Sequence, residues 1–319
     1  MPCLRFLSLT FIPFPGLPKI LWSATHLVKL WLLAIPHSGY ISPEAMATCL
    51  SMLTSLEELK FQFHSPQSSP DQESRPPLPP TRSVLQTLKT FSFKGVYEYL
   101  EEFVARIDTP RLDRLSTTFF NDVDFSTPEL NQFISRTPTL GEYDEARLIF
   151  GSGGAQVRLC PFQPEQSDHR MTEVHILCQV PDWQLSSLAQ ICTLSLQPFL
   201  IMENLYMDED LDSPPNWTDD IENTEWLNLL LPFTAVKNFH LSKQISARIA
   251  PTLQGLAGEK TTEVLPALKR VLLEGFQPSE PVQEDIAQFI SARRLTKYPI
   301  LSKLRFRLSS MIRAYPHGI

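Results

Sequence analysis

The sequence has few cysteines and lacks any long apolar run. Its five cysteines include no CxxC pair and make an odd number; they are Cys3, Cys49, Cys160, Cys178 and Cys192. This usage is typical of reduced thiols and argues against a disulfide framework. No apolar run approaches the ~18 residues needed to cross a bilayer, and the N-terminus lacks the regions of a signal peptide. We therefore expect a cytoplasmic or nuclear protein that does not bind a membrane.

An excess of basic residues is also absent, and glycine is scarce. The 319 residues include 28 Lys and Arg against 35 Asp and Glu, so the formal net charge is −7. This balance argues against nucleic acid or an anionic membrane as the main partner. There are 11 glycines against 28 prolines, which is typical of many short elements separated by stops.

A short apolar pattern recurs along the whole chain. Its clearest copy is LKRVLL at 268–273, where Val271 and Leu273 are predicted to point inward from a strand. Eleven candidates begin at residues 4, 27, 56, 88, 112, 140, 171, 202, 236, 268 and 301. The intervals between them run from 23 to 34 residues, too regular for chance clusters. The sequence therefore predicts a repeat architecture.

Segments with helical periodicity lie between these predicted strands. The first opens at Ser42-Pro43-Glu44, which supplies an N-cap and a first-turn proline. Others are predicted within 97–107, 127–134, 181–196, 223–231 and 281–295. Strand and helix alternate about every thirty residues, so the fold class is α/β and the architecture is a strand-helix solenoid. We expect residues 1–319 to form one domain.

Two stretches interrupt the repeats. Residues 65–80, SPQSSPDQESRPPLPP, are rich in proline and serine and are predicted to be a disordered insertion. Residues 150–166 place a Gly-Ser-Gly-Gly turn between two apolar strips and are predicted to be a protruding β-hairpin.

The LxxLxL motifs at 4 and 27 and the LxxLxF motifs at 56 and 301 resemble the strand signature of leucine-rich repeats. The stretches ISPEAMATCLSMLTSLEELKF and LPALKRVLLEGFQPSEPVQEDIAQFISARR are similar to the irregular leucine-rich-repeat region of fungal F-box-like proteins. This resemblance covers essentially the whole chain. It implies a horseshoe with a parallel sheet on its concave face and helices on its convex face.

The same resemblance implies a role as the substrate-recognition region of a cullin-RING ubiquitin-ligase receptor. In that family an F-box precedes the repeats, whereas this chain enters a repeat strand by Leu4. Docking on the ligase adaptor is therefore expected only if an F-box exists upstream.

If the strands align, one side chain from each forms a lateral row on the concave face. The predicted row is Ser8, Trp31, Lys60, Ser92, Ser116, Asp144, His175, Tyr206, His240, Leu272 and Arg305. The four members from Asp144 to His240 are predicted to be consecutive neighbours, flanked by Glu173 and Asp208. Acceptors, imidazoles and an aromatic ring suit a basic or hydrogen-bonding peptide.

Other interpretations of this patch stay open. The row is merely solvated if it follows the usual pattern of polar residues on an open sheet face. A hydrolase or metal-dependent enzyme would use Asp144, His175 and His240 together, although no spacing motif supports such a group. A degenerate gene fragment without function is a third alternative. We favour a non-enzymatic scaffold for another protein, with no catalytic residue, metal or cofactor.

Two further features bear on partners. Trp31 is either an interface anchor or a core residue displaced by a register slip. The loop 208–212, DEDLD, carries carboxylates at alternate positions, but Ser213 and Pro214 replace the glycine of a calcium loop. We interpret it as a solvated acidic loop that can attract a cationic partner.

Overall fold

The computed structural model describes residues 4–13, 17–66, 81–120, 127–141, 143–161, 170–195, 201–217, 221–256, 263–274, 282–294 and 305–307. Strands and helices alternate through most of these ranges. None of the helices in these ranges is both long and apolar enough to cross a bilayer.

The strands are β1 (Phe6–Thr10), β2 (Lys29–Ile35), β3 (Glu58–Phe63), β4 (Ser83–Val84), β5 (Thr90–Gly95), β6 (Ile107–Asp108), β7 (Arg114–Phe120), β8 (Glu145–Gly151), β9 (Gly154–Cys160), β10 (Met171–Leu177), β11 (Asn204–Glu209), β12 (Asn238–Leu241), β13 (Arg270–Glu274) and β14 (Arg305–Arg307). The helices are α1 (Leu17–Trp22), α2 (Pro43–Ser51), α3 (Tyr97–Val104), α4 (Pro128–Arg136), α5 (Pro181–Gln190), α6 (Asn223–Leu230), α7 (Lys243–Gly255) and α8 (Val282–Arg294).

Twelve of the strands in the described ranges form one large sheet. Their order is β1-β2-β3-β5-β7-β10-β9-β8-β11-β12-β13-β14. Neighbouring strands are parallel except around β9, which is antiparallel to both β8 and β10. The short strands β4 and β6 pair separately, in parallel. The chain therefore has a mixed α/β fold with a large, mainly parallel sheet.

Ten of the eleven predicted strand positions contain a strand. The exception is the pattern at 140–145, where the strand begins only at Glu145. The six predicted helices are present within or close to their predicted bounds, and α1 and α7 are additional. The predicted insertion at 65–80 lies, from residue 67 onward, outside the described residues.

The predicted hairpin is present but does not protrude, so this part of the prediction is wrong. β8 and β9 are joined at Ser152 and Gly153, and β9 lies inside the sheet between β8 and β10. The physical reason is that β9 has two edges of backbone N–H and C=O groups. Pairing the second edge with β10 satisfies these groups, whereas a protruding hairpin would leave them to solvent.

The core lies between the sheet and the helices. On β3 and β5 alternate residues are buried, including Phe61, Phe63 and Phe93. The ring of Tyr99 on α3 packs against these three, with centroid distances of 4.9 to 5.9 Å. Apolar residues at a spacing of two along the strands thus meet an apolar stripe on the helices, which fixes the buried face of the sheet.

Polar side chains tie neighbouring helices together. The Glu101 carboxylate of α3 accepts hydrogen bonds at 2.8 Å from the backbone N–H groups of Glu129 and Leu130, which open α4. Arg136 of α4 reaches back to Asp108 at 2.7 Å and to the carbonyl of Ile107 at 2.9 Å. The Glu101 contacts satisfy N–H groups at the start of α4 that have no partner within their own helix.

Candidate binding face

The face of the sheet opposite the helices is partly exposed. On β7, β10 and β11 the residues that alternate with the buried ones keep intermediate exposure. The buried residues point toward the helices, as shown by Phe91 on β5, whose ring lies 5.6 Å from that of Phe103 on α3. We call the opposite side the open face.

One residue from each strand of the large sheet falls in a single lateral row on the open face. Trp31 pairs with Ser8 on one side and with Lys60 on the other, and every further strand extends the line by one residue. In sheet order the row is Ser8, Trp31, Lys60, Ser92, Ser116, Glu173, Arg158, Arg147, Tyr206, His240, Leu272 and Arg305. Adjacent members are one strand spacing apart, ~4.8 Å.

The structure brings together only part of the predicted row. Tyr206 and His240 are direct neighbours, and this prediction is confirmed. The position predicted for Asp144 is wrong, because Asp144 precedes β8. Its backbone N–H donates to the Cys160 carbonyl at 3.3 Å and its carbonyl accepts from the Asn204 N–H at 3.1 Å.

The position predicted for His175 is also wrong. β10 begins at the first residue of its apolar pattern, whereas most strands begin two residues into theirs. The pairing therefore places Glu173 in the row. His175 lies two residues further along β10, in the adjacent lateral row, where it pairs with Thr118 on β7 and Gln156 on β9. Burial lowers the pKa of the His175 imidazole, an effect that the Glu173 carboxylate opposes only in part.

The Asp144, His175 and His240 group considered for catalysis is not assembled. His175 on β10 and His240 on β12 are separated by β9, β8 and β11, which corresponds to four strand spacings, or ~19 Å. Among the described residues, no group of three or more His, Cys, Asp or Glu side chains is arranged to hold a metal ion.

A stack of three side chains occupies the eighth, ninth and tenth of the twelve positions in the row. The Arg147 guanidinium lies 4.9 Å from the centroid of the Tyr206 ring. On the other side of Tyr206 the His240 ring lies 3.9 Å away, with an interplanar angle of 17°. Cation–π and stacking contacts of this kind hold long side chains in one orientation. We call Arg147, Tyr206 and His240 the central stack.

Carboxylates surround the central stack. Arg147 lies 3.6 Å from Asp208 and 3.7 Å from Glu145. Burial raises the pKa of both of these carboxyls. Burial alone would lower the pKa of the Arg147 guanidinium, but the two carboxylates reverse this effect and leave it raised. On the next two strands, Arg158 of β9 and Glu173 of β10 form an ion pair at 3.0 Å.

Trp31 lies on the open face rather than in the core. Its neighbours Leu30 and Leu32 are the buried members of β2. The Trp31 Nε1–H donates to the Glu58 carboxylate at 2.9 Å, and the Lys60 ammonium lies 4.0 Å from the ring centroid. The interpretation of Trp31 as a displaced core residue is therefore wrong. Its role as an interface anchor stays a prediction.

The sequence analysis missed Arg147 because it placed the sixth strand pattern at 140–145, whereas β8 begins only at Glu145. It missed Arg158 because it placed residues 150–166 in a hairpin outside the sheet. A signal was present. The segments EARLIFG and GAQVRLC both alternate between buried apolar and partly exposed residues, as half-buried strands do. The partner-binding role of the predicted residues, with or without these arginines, stays a prediction.

No protein-family model matches this chain, and no curated protein sequence matches it. Among solved structures, the chain is similar to the leucine-rich repeat-containing protein LegL7 from Legionella pneumophila. The two are 12% identical, the alignment covers 89% of this chain and 80% of LegL7, and the TM-score is 0.34. What the open face does is therefore inferred from its own residues.

Proposed function

We propose that this chain is a leucine-rich-repeat-type scaffold that binds another protein through the open face and performs no chemistry of its own. The observation that carries the proposal is the lateral row, in which each strand of the large sheet contributes one residue in register. Backbone pairing fixes these positions before a partner arrives. Preordered side chains lose little conformational entropy on binding, which favours affinity.

The central stack supports this role by its composition. Arg and Tyr, with Trp, are the residues that most often dominate the energy of protein interfaces. Arg147 and Tyr206 lie next to each other near the middle of the row, and Trp31 lies toward the β1 edge of the sheet. A partner that covers the row would contact the stack inside the edges of its footprint, where desolvation is greater than at the rim.

The resemblance to fungal F-box-like proteins supports a more specific form of the proposal. In this form the open face recognises the substrate of a cullin-RING ubiquitin ligase, in the cytoplasm or nucleus. Docking on the ligase adaptor would then require an F-box upstream of Leu4. The partner is a protein or peptide whose polar groups match the carboxylates and arginines around the central stack.

Affinity purification with quantitative mass spectrometry tests the proposal on the full chain. The face variant combines Arg147→Ala, Tyr206→Ala and His240→Ala. The control variant combines Gln254→Ala and Gln288→Ala, which remove an exposed hydrogen bond between α7 and α8. We expect at least one protein to be retained by the wild type and the control but lost, by ~10-fold or more, from the face variant.

The same purification can contradict the proposal. If every retained protein binds the face variant as well as the control, the open face is not the binding surface. Circular dichroism melting of each variant accompanies the experiment, because a face variant that unfolds would lose partners for a trivial reason. The central stack is partly exposed, so we expect its removal to leave the fold intact.

A further inference from the structure

The charge of this chain is distributed unevenly along its length. Residues 171–236 contain 11 Asp and Glu and no Lys or Arg. Since the whole chain has 35 acidic and 28 basic residues, the rest holds 24 acidic and 28 basic residues. The segment therefore carries a charge of −11, and the remainder carries +4. The acidity of the protein comes entirely from this segment.

The fold gathers two loops of this segment at one end of the sheet, beside the turn between β8 and β9. Gln184 at the start of α5 donates to the Gly151 carbonyl at 2.9 Å. The Asp210 N–H, just after β11, donates to the Phe150 carbonyl at 2.8 Å, and the Ser152 N–H donates to the Ser213 carbonyl at 2.8 Å. The loops after β8, β10 and β11 thus form one connected surface.

Three large apolar side chains are exposed on these loops. Val180 and Trp183 stand at the start of α5 with 44% and 46% of their surfaces exposed. Leu211 follows β11 and is 75% exposed, more than any other large apolar residue that the structure describes. Isolated exposed apolar residues are ordinary, but a group of them on connected loops is typical of an interaction site.

Carboxylates accompany these apolar side chains. Asp182 lies between Val180 and Trp183, and Asp210 and Asp212 flank Leu211. We call these six residues the rim patch. The segment contains no Lys or Arg, so it contributes negative charge around these apolar side chains.

Hydrogen bonds hold the rim patch in shape. The buried Gln184 also donates to the Cys178 carbonyl at 2.7 Å, which anchors the first turn of α5. Its Oε1 atom is buried and accepts no hydrogen bond from any described residue, so the base of the patch holds an unused acceptor. On the neighbouring loop, the Asp212 N–H donates to the Asp210 carboxylate at 3.1 Å. An ordered patch binds at a lower entropic cost than a mobile one.

We propose that the rim patch is a second docking site, separate from the open face, for a protein segment in which Lys or Arg flank a large apolar side chain. The apolar side chain of the partner packs on Trp183 and Leu211, since an exposed Trp is a frequent interface anchor. The flanking cations face Asp182, Asp210 and Asp212, and the negative charge of these three carboxylates accelerates their association. Nucleic acid and anionic lipid are repelled by the same charge.

Fluorescence anisotropy with synthetic peptides tests the proposal on the full chain. The probe is fluorescein-labelled KKLKKLKK, and its matched controls are EELEELEE and KKSKKSKK. We expect KKLKKLKK to bind at least ~10-fold more tightly than either control, which corresponds to ~1.4 kcal/mol. Its affinity should fall as salt is raised, because exposed charges are screened.

Two variants separate the apolar and the charged contributions. Trp183→Ser with Leu211→Ser should weaken binding of KKLKKLKK by ~10-fold or more. Asp210→Asn with Asp212→Asn keeps the hydrogen-bonding shape of the loop but should weaken binding and reduce its salt dependence. Trp183, Leu211 and Asp212 are exposed and Asp210 is half-buried, so the melting temperature should stay close to that of the wild type.

Two controls make the outcome decisive. Trp22→Ser removes a tryptophan on α1 that is 55% exposed, and no acidic residue precedes Glu44 in this part of the chain. This change should leave binding unchanged. The face variant, with Arg147→Ala, Tyr206→Ala and His240→Ala, should also bind KKLKKLKK normally, so failure of the rim patch and failure of the open face are distinguishable. The proposal is overturned if KKLKKLKK does not bind the wild type, or if it binds the Trp183 and Leu211 variant equally well.

Discussion

The large sheet contains two kinds of region that differ in how their strands are connected. In β1-β2-β3-β5-β7 and in β11-β12-β13-β14, every strand pairs in parallel with its neighbour. In β8-β9-β10, a two-residue turn joins antiparallel strands and reverses their order in the sheet. A thirty-residue period therefore determines the neighbours of a strand only where every connection is a crossover.

The reversal changes the chemistry of the open face as well as its order. In the parallel regions the row follows the period of the sequence, from Trp31 to Lys60 and from Tyr206 to His240. We call β8-β9-β10 the reversed block. In it two arginines, Arg147 and Arg158, lie directly opposite each other on neighbouring strands. Like charges in such positions destabilise a sheet, and the surrounding carboxylates offset this repulsion.

The largest expected effect on stability comes from a substitution at Gly154, in the reversed block. Its φ is +156°, and a Cβ added there would lie 2.0 Å from the Ile176 carbonyl oxygen and 2.9 Å from the His175 Nε2. Gly154→Ala must therefore separate β9 from β10, and we expect a loss of ~3 kcal/mol or more in the free energy of unfolding. Urea denaturation of the two proteins measures it.

Gly153→Ala is the matched control, because a Cβ at that neighbouring position meets no atom within 4 Å. We expect it to change stability by less than ~0.5 kcal/mol. If both alanine variants were equally stable, β9 would not run beside β10, and the difference between the two kinds of region would disappear.

The second prediction addresses a parallel region, where the alternation of β13 is the test. Leu273 is fully buried against the helices, whereas Leu272 lies in the row on the open face with intermediate exposure. Leu273→Ala should cost ~2–5 kcal/mol, since it leaves a cavity in a packed core. Leu272→Ala should cost less than ~1 kcal/mol. Equal losses in thermal or urea unfolding would contradict the assigned inner and outer faces.

The parallel regions could be predicted because each repeat of about thirty residues contains one strand and one helix. The buried leucines of LKRVLL indicate a strand, and the proline at the start of α2 indicates the first turn of a helix. The position of β9 could not be predicted in this way. A Gly-Ser-Gly-Gly turn specifies a hairpin, but whether its second strand pairs with another strand depends on β10, a partner that is distant from the turn in sequence. Helix α7 was missed because Pro251 interrupts its pattern.

The third prediction concerns the helix layer, where Glu101 links α3 to α4. Burial raises the pKa of Glu101 to about 7, although the N–H groups of Glu129 and Leu130 oppose the effect. A raised carboxyl pKa means that the folded state binds the proton more tightly than the unfolded state. The protonated Glu101 carboxyl therefore stabilises the folded state. This contribution is complete below pH ~4.5 and is lost as the pH rises through about 7, by an amount on the order of 2–3 kcal/mol.

Glu101→Gln should remove this part of the pH dependence, because the amide does not titrate. Urea unfolding at pH 5 and pH 8 compares the variant with the wild type and with Glu98→Gln, which changes another carboxylate of the same helix. We expect the wild type and Glu98→Gln to lose more stability between these pH values than Glu101→Gln. If Glu101→Gln kept the full pH dependence of the wild-type free energy of unfolding, another group would be responsible for it.

The smallest expected effects concern two ion pairs on the open face, one in a parallel region and one in the reversed block. Glu58 in the parallel region accepts from Trp31 and pairs with Lys29 at 2.9 Å, and Glu173 in the reversed block pairs with Arg158 at 3.0 Å. Partly exposed ion pairs contribute little to stability, so Glu58→Gln should lower the free energy of unfolding by less than ~1 kcal/mol.

Glu173→Gln should lower the free energy of unfolding more than Glu58→Gln, because it leaves the opposed arginines with one fewer carboxylate. Double-mutant cycles with Arg158→Gln measure the difference, and raising the salt concentration should shrink it. If Glu58→Gln proved the costlier change, the opposed arginines would not be what distinguishes the reversed block.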